Sequence, residues 1–255
     1  MTLTLYPIPG IPLIQPGDDL AAIILSCLSM AEMELKDGDI LVLAQKIVSK
    51  AEGRYVNLNS ISPSQKAKEL ATETRKDPRL VELILNESNE ILRYRPGSII
   101  VEHRLGFVCA SAGIDHSNVN NLGGSAEDWV LLLPENPDRS ANKMRIAIYK
   151  SLKIHIGVLI IDSHGRAWRL GTVGVAIGLS GMPGIMDLRG VPDLFGYKLQ
   201  ITTVGTADEL AAAASLVMGQ ASEGTPAVIV RGFPYPMRNG SMSEIIRPKD
   251  QDMFR

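Results

Sequence analysis

Cysteine is scarce in this chain. Cys27 and Cys109 are the only two, too few for a disulfide framework and in no zinc-binding pattern, so buried thiols in a reducing compartment are expected. Long apolar runs are missing as well. Those present, such as IGVLII at 156–161, fall far short of the ~20 residues that cross a bilayer, and no membrane span is expected. The opening MTLTLYPIPGIPLIQPG carries no basic segment and is broken by four prolines, which argues against a signal peptide and for a cytoplasmic protein. No charge of one sign dominates. The formal net charge is −2, with Lys and Arg spread along the chain, so there is no sequence-wide electrostatic case for nucleic acid. An anionic ligand must be held by a local cluster. Repeats, HExxH, CxxC, an EF-hand loop, a catalytic triad and a nucleophile elbow are all absent from the sequence.

What is there suits a folded globular protein. Of 255 residues, 45% are hydrophobic and 21% charged, enough for a large core in one domain or in two interleaved ones. GDDLAAIILSCLSMAEME reads as a helix capped by Asp18 or Asp19, with acids in its first turn. KDGD at 36–39 is a turn, and ILVLAQKIVSK a buried strand followed by a polar loop. SPSQKAKELATETRK and DPRLVELILNESNEILR predict two helices, with Pro63 and Pro78 in their first turns and Leu80, Leu83, Ile84 and Ile91 on one face of the second.

Further on, SIIVEHRLGFVCASAGI predicts a strand hairpin, and 138–152 a helix with Ala141, Met144, Ile148 and Leu152 on one side. IGVLIID predicts an apolar strand. The stretch 170–200 is glycine-rich and expected to be irregular, loops with short strands. TADELAAAASLVMG predicts a helix opened by a Thr206–Glu209 capping box, and AVIVRG a short buried strand. Strands and helices mix without strict alternation, so the class is α/β or α+β and not a simple doubly wound sheet.

Two short stretches carry chemistry. GIDHSNV, 113–119, and IIDSHGR, 160–166, each set an aspartate beside hydroxyl and imidazole groups, in a chain with four histidines. Asp115 and Asp162 are each placed at the end of an apolar strand, where a rigid element opens towards solvent. If those ends converge, two like charges need a cation between them. A hard divalent ion with oxygen ligands answers that need, with Ser163 and Asn118 as further oxygens. Each aspartate alone would equally serve as a turn or cap residue. In an extended segment His116 points away from Asp115, whereas His164 can reach the side of Asp162 or be a plain turn histidine.

Lys46, Lys50 and Arg54 lie close together in AQKIVSKAEGR, either as point charges for a polyphosphate or as a solvated basic loop. GQASEGTP, 219–226, spaces Gly219 and Gly224 like a Walker loop but lacks the lysine and follows a helix. It fails as that motif and remains a glycine loop through which backbone amides can approach a ligand. GIPLIQPG, 10–17, is a stiff apolar loop able to wall a purine pocket.

In order along the chain, GIPLIQPGDDL, DGDILVLAQKIVSKAEGR, GFVCASAGIDHSNV, LLLPENPDRSA, IGVLIIDSHGRAWRLGTVGVAIG, DLRGVPDLFGYKL and TADELAAAASLVMGQASEGTPAVIVRG together resemble the coenzyme F420-0:gamma-glutamyl ligase family, over roughly residues 8–247. The blocks around Lys50, Asp115 and Asp162 are the most specific. The resemblance implies a mixed α/β fold particular to the family, with mixed sheets and packed helices. It implies one unit over 1–255, without the nitroreductase-like domain of a longer mycobacterial version. It also implies a homodimer that drives amide bond formation with GTP. GTP phosphorylates the terminal carboxylate of coenzyme F420-0, or of F420-1 in a later round, and the amine of L-glutamate displaces phosphate.

That chemistry implies two divalent ions, manganese or magnesium, with potassium. Carried over by position, Asp115 and Asp162 are metal ligands, and Ser163 and Gln220 contacts of a second metal. At Gln220 some relatives carry a glutamate, and an amide is the weaker ligand. Asn118, Gln45, Lys46 and Lys50 would meet the nucleotide, as would the loop Ile11, Pro12, Leu13 and Ile14. The loop Met218, Gly219, Gln220, Ala221, Ser222, Glu223, Gly224 and Thr225 would close over GTP. Three rivals stand beside this expectation: a same-fold ligase for another carboxylate, a metal-dependent phosphohydrolase, and a nucleotide-binding protein without catalysis.

Overall fold

A computed structural model describes residues 2–119, 123 and 125–254. In chain order the first half holds β1 (Thr4–Pro7), α1 (Leu20–Met30), β2 (Ile40–Ala44), α2 (Gln45–Ala51), β3 (Tyr55–Asn57), α3 (Gln65–Thr74), α4 (Pro78–Asn86), β4 (Ser88–Arg95), β5 (Ser98–His103) and β6 (Val108–Ala110). The second half holds β7 (Trp129–Leu131), α5 (Pro137–Leu152), β8 (Gly157–Arg166), β9 (Arg169–Ser180), β10 (Met186–Asp187), β11 (Thr203–Val204), α6 (Thr206–Met218) and β12 (Ala227–Arg231). The class is mixed α/β.

The centre is a five-stranded sheet in the order β1-β12-β2-β8-β9. Only β2 and β8 run parallel within it; the other neighbours are antiparallel. The parity of the strands divides the core. Leu41, Leu43, Val158, Ile160 and Ile229 face α1 and α5, while Ile40, Val42, Leu159, Ile161, Val228 and Val230 face α6. Both faces are covered, so these strands read as unbroken apolar runs. A smaller three-stranded sheet, β4-β5-β6, carries α3 and α4 over a third cluster that includes Leu80, Val81, Ile84, Ile99 and Val101.

The pairing directions decide where a site can form. Pro7 at the end of β1 pairs with Val228, Ala227 at the start of β12 with Leu43, and Ala44 at the end of β2 with Ile161. The loop after β1, the start of α2, residue 162 and the loop entering β12 therefore share one end of the sheet.

Several local expectations are corrected. The segment after β2 is helix α2 and not a loop; its buried face includes Gln45, Ser49 and Lys50, so no apolar period announces it. Helix α4 stops at Asn86, and Ile91 lies in β4, which pairs with β5 across the Pro96–Gly97 turn. The stretch expected to be irregular is so beyond Ser180, but before it β9 runs for twelve residues from Arg169, and its glycines let neighbours come close.

The helix termini differ too. Pro78 begins α4, but Pro63 precedes the Ser64 cap of α3. Asp19 caps α1, and its first turn holds no acid. No capping box opens α6: Gly205 holds the cap position, and the Thr206 hydroxyl donates to the carbonyls of Pro183 and Gly184 instead. Leu152 is exposed at the end of α5, while Ala141, Met144 and Ile148 are buried.

Candidate functional site

A cavity of about 680 Å3 opens at that end of the sheet. Its walls bring together most of the residues singled out from the sequence, all but Arg54 and His116. The loop Ile11, Pro12, Leu13, Ile14 forms one side, and Gln45, Lys46 and Lys50 reach in from α2. Asp115 and Asn118 come from the first acidic motif, Asp162 and Ser163 from the second, and residues 218–225 from the loop before β12. Arg54 is not among the lining residues. It donates to the Leu133 carbonyl at 2.9 Å and to Glu87 at 3.2 Å, a structural role. His116 is exposed and also outside the lining.

Asp115 is fixed through its backbone, which exchanges hydrogen bonds with Leu131 at 3.0 and 2.9 Å. The chain reaches it through Ser111, Ala112 and Gly113, all with positive φ. At Gly113 a Cβ would also collide with the Leu133 side chain, so only glycine fits. The carboxylate accepts from Gln45 Nε2 at 2.6 Å and lies 3.3 Å from Lys46 Nζ. Gln45 is oriented in turn by the Ser49 hydroxyl, which donates to Oε1 at 2.9 Å. Lys46 also donates to the carbonyl and hydroxyl of Ser117, at 3.0 and 2.9 Å.

Asp162 does not end its strand. β8 runs on to Arg166 as a hairpin with β9, and what stops at Ile161 is the pairing with β2. Beyond that point the period of two takes over. Asp162 and His164 share a face, with His164 Nε2 at 3.0 Å from Asp162 Oδ2, and Ser163 on the other face donates to Gln220 Oε1 at 2.7 Å. Asn118 Nδ2 donates to the Ala221 carbonyl at 3.1 Å, tying the first motif to the loop 218–225.

The electrostatics follow from this crowding. Burial, then the charge of Asp162, pushes the Asp115 carboxyl up to about 6; Lys46 and Gln45 offset this only in part. Lys50, buried beneath the cavity, is drawn below the usual lysine range by desolvation and by Lys46. The Cys109 thiol is pushed up to about 12, first by burial and then by Asp162. It is a protonated, inert group and no nucleophile.

The donor set fits a hard divalent cation. Two carboxylates, the Ser163 hydroxyl and the Gln220 carbonyl are all oxygen ligands lining this one cavity. Among the described residues no three His, Cys, Asp or Glu side chains form a metal-holding group. A cation here would complete its shell from phosphate oxygens and water, as magnesium commonly does. Gly165, Thr172 and Ser215 line the cavity as well, and nothing in the sequence pointed to them. Ser49 could have been found, four residues after Gln45 on what proves to be a helix.

Two carboxylates and two lysines line one cavity on a mixed α/β scaffold, an arrangement of the kind an enzyme site uses. The chain's family is definite. The family model F420-0:Gamma-glutamyl ligase matches residues 10–232, which include all the positions above, and the chain belongs to that family. A protein of Methanothermobacter thermautotrophicus named coenzyme F420:L-glutamate ligase is 48% identical over 100% of both chains. Proteins of the same name from Methanopyrus kandleri and Archaeoglobus fulgidus are 46% and 42% identical, over 100% of this chain and 98% and 97% of theirs.

Proposed function

We propose that this protein is a ligase of coenzyme F420 biosynthesis that uses GTP to join L-glutamate, through its gamma-linked chemistry, to coenzyme F420-0 and F420-1. The observation that carries this proposal is the meeting of Asp115 and Asp162 with Lys46 and Lys50 around one cavity, in a chain of this ligase family. A carboxylate must be activated before an amine can displace its oxygen. Transfer of the terminal phosphoryl group of GTP to the acceptor carboxylate gives an acyl phosphate and GDP. The glutamate amine then attacks the acyl carbon and expels phosphate.

The residues divide this work. Manganese or magnesium, when bound by the two carboxylates, supplies positive charge to the phosphates. Lys46 and Lys50 take up phosphate charge as points. The 218–225 loop offers backbone amides, and the Ile11–Ile14 loop offers an apolar wall for the base. No side chain needs to act as nucleophile, so alignment of donor and acceptor does most of the work.

A homodimer in the cytoplasm belongs to the same proposal. Trp168 and Leu170 at the tip of the β8–β9 hairpin are 88% and 98% exposed, and Leu194 and Phe195 are 97% and 95% exposed. Large apolar side chains presented in this way favour a covering partner, here a second copy; light scattering during size exclusion checks it. Among the described residues no helix is long and apolar enough to cross a membrane.

The deciding assay supplies GTP, L-glutamate, manganese and F420-0 and follows products by mass. Glutamyl addition with matching GDP release is expected. Phosphate release that needs no glutamate would instead make this a phosphohydrolase, and tight GTP binding without turnover a binding protein. Glutamylation of some other carboxylate, with F420-0 untouched, would make it a ligase of different specificity.

A further inference from the structure

We infer that His164 is a positioning residue for Asp162, holding one carboxylate oxygen so that the other serves the cation; the inference rests on the cation-binding role proposed above. The two side chains stand two apart on β8, each only 12% exposed, with Nε2 at 3.0 Å from Oδ2. The imidazole is itself held. Its ring packs against Phe107 at 5.5 Å between centroids, and Phe107 stacks on His103 at 5.2 Å and 7°. His103 is fully buried, and its Nδ1 accepts from the Leu105 backbone at 3.0 Å. A row of three rings thus runs from the interior of the smaller sheet to the Asp162 carboxylate.

Asp115 is treated alike by different means. Its Oδ2 accepts from Gln45, and Gln45 is set by Ser49. Each acid therefore has one oxygen fixed by a side chain that is itself braced. A carboxylate held in one orientation loses less rotational freedom when it takes up a cation, and such outer partners typically account for 10–100-fold in metal affinity. A turn histidine without this role would leave cation binding unchanged when its ring nitrogens are removed.

The test compares His164→Phe, which keeps a ring against Phe107 but has no N–H, with His164→Gln, whose amide nitrogen lies near the position of Nε2. Manganese binding is read by electron paramagnetic resonance with GDP present, beside a thermal melt of each protein. The expected result is an about tenfold weaker manganese affinity in His164→Phe, an affinity close to wild type in His164→Gln, and similar melting of all three. Unchanged manganese binding in His164→Phe overturns the inference. So does an equal loss in both variants with lowered melting, which would show packing alone. A wild-type protein that binds no manganese beside GDP would sink the cation-binding role itself.

Discussion

Ala44 on β2 and Ile161 on β8 are the last register partners of the parallel pair, and the next residues outward are Gln45 and Asp162. Gln45 turns its amide onto Asp115. One strand pairing thereby connects two acids that lie in separate parts of the chain, and the first prediction follows from their proximity.

Asp115→Asn and Asp162→Asn should each lower glutamyl transfer at least a hundredfold. Neither should destabilise the fold without ligand, because each removes one of two like charges facing each other in a buried place. Thermal melting with the transfer assay checks both halves. Activity near wild type in either purified variant would refute the assignment. Asp162→Asn should also bring the Asp115 carboxyl down from about 6. Burial, the larger cause, keeps it above the ordinary value.

Gln220→Glu replaces a carbonyl that accepts from Ser163 at 2.7 Å by a carboxylate. A hard cation prefers the charged oxygen. The manganese concentration giving half-maximal activity should fall severalfold, and a metal titration of the initial rate would reveal it. A rise would mean that Gln220 stands outside the metal shell.

Glu87 governs acid stability away from the cavity. Burial acts to raise its carboxyl, but the His103 imidazole 3.7 Å away and the charges of Arg104 and Arg54 outweigh it, so the group titrates below its usual value. With the folded value depressed, its stabilisation is present above the unfolded carboxyl value near ~4.3 and fades as pH falls through the folded one. Glu87→Gln should therefore cost about 3 kcal/mol near pH 7, where it leaves arginines without their partner. The gap from wild type should narrow as pH falls below about 4. Urea unfolding at both pH values measures it, and a gap that widens in acid would reverse the sign.

Gly178→Ala should destabilise by about 1–3 kcal/mol. A Cβ there would run into the side chain and backbone of Pro137, where α5 begins against β9. Asp138 in the same turn accepts from the backbone N–H groups of Leu179 and Met242, at 2.8 and 3.0 Å, so the helix start cannot easily retreat. Calorimetry decides, and an unchanged melting temperature would show that α5 can shift.

Local chemistry was legible. The runs at β2, β8 and β12 are apolar enough to read as buried strands, and α5 declares itself by the period of Ala141, Met144 and Ile148. The two acidic motifs stand out because each sets an aspartate beside hydroxyl and imidazole groups, although Asp115 lies five residues beyond the end of β6 and not at a strand end. Helix α2 was not legible, since Gln45, Ser49 and Lys50 bury polar groups where a period search looks for apolar ones. Nor was β9, whose glycines serve close packing and look from the sequence like loop residues.

By itself the sequence determined the most apolar buried strands and several of the helices, which side chains carry charge, and which family the chain resembles. Tertiary structure alone decided that Asp115 and Asp162 face one cavity, that Lys46 crosses to Ser117, and that His164 braces Asp162 while Arg54 turns away. Those outcomes depend on strand order and register between distant segments. Register is fixed by burying whole faces at once, and no short stretch of sequence encodes it.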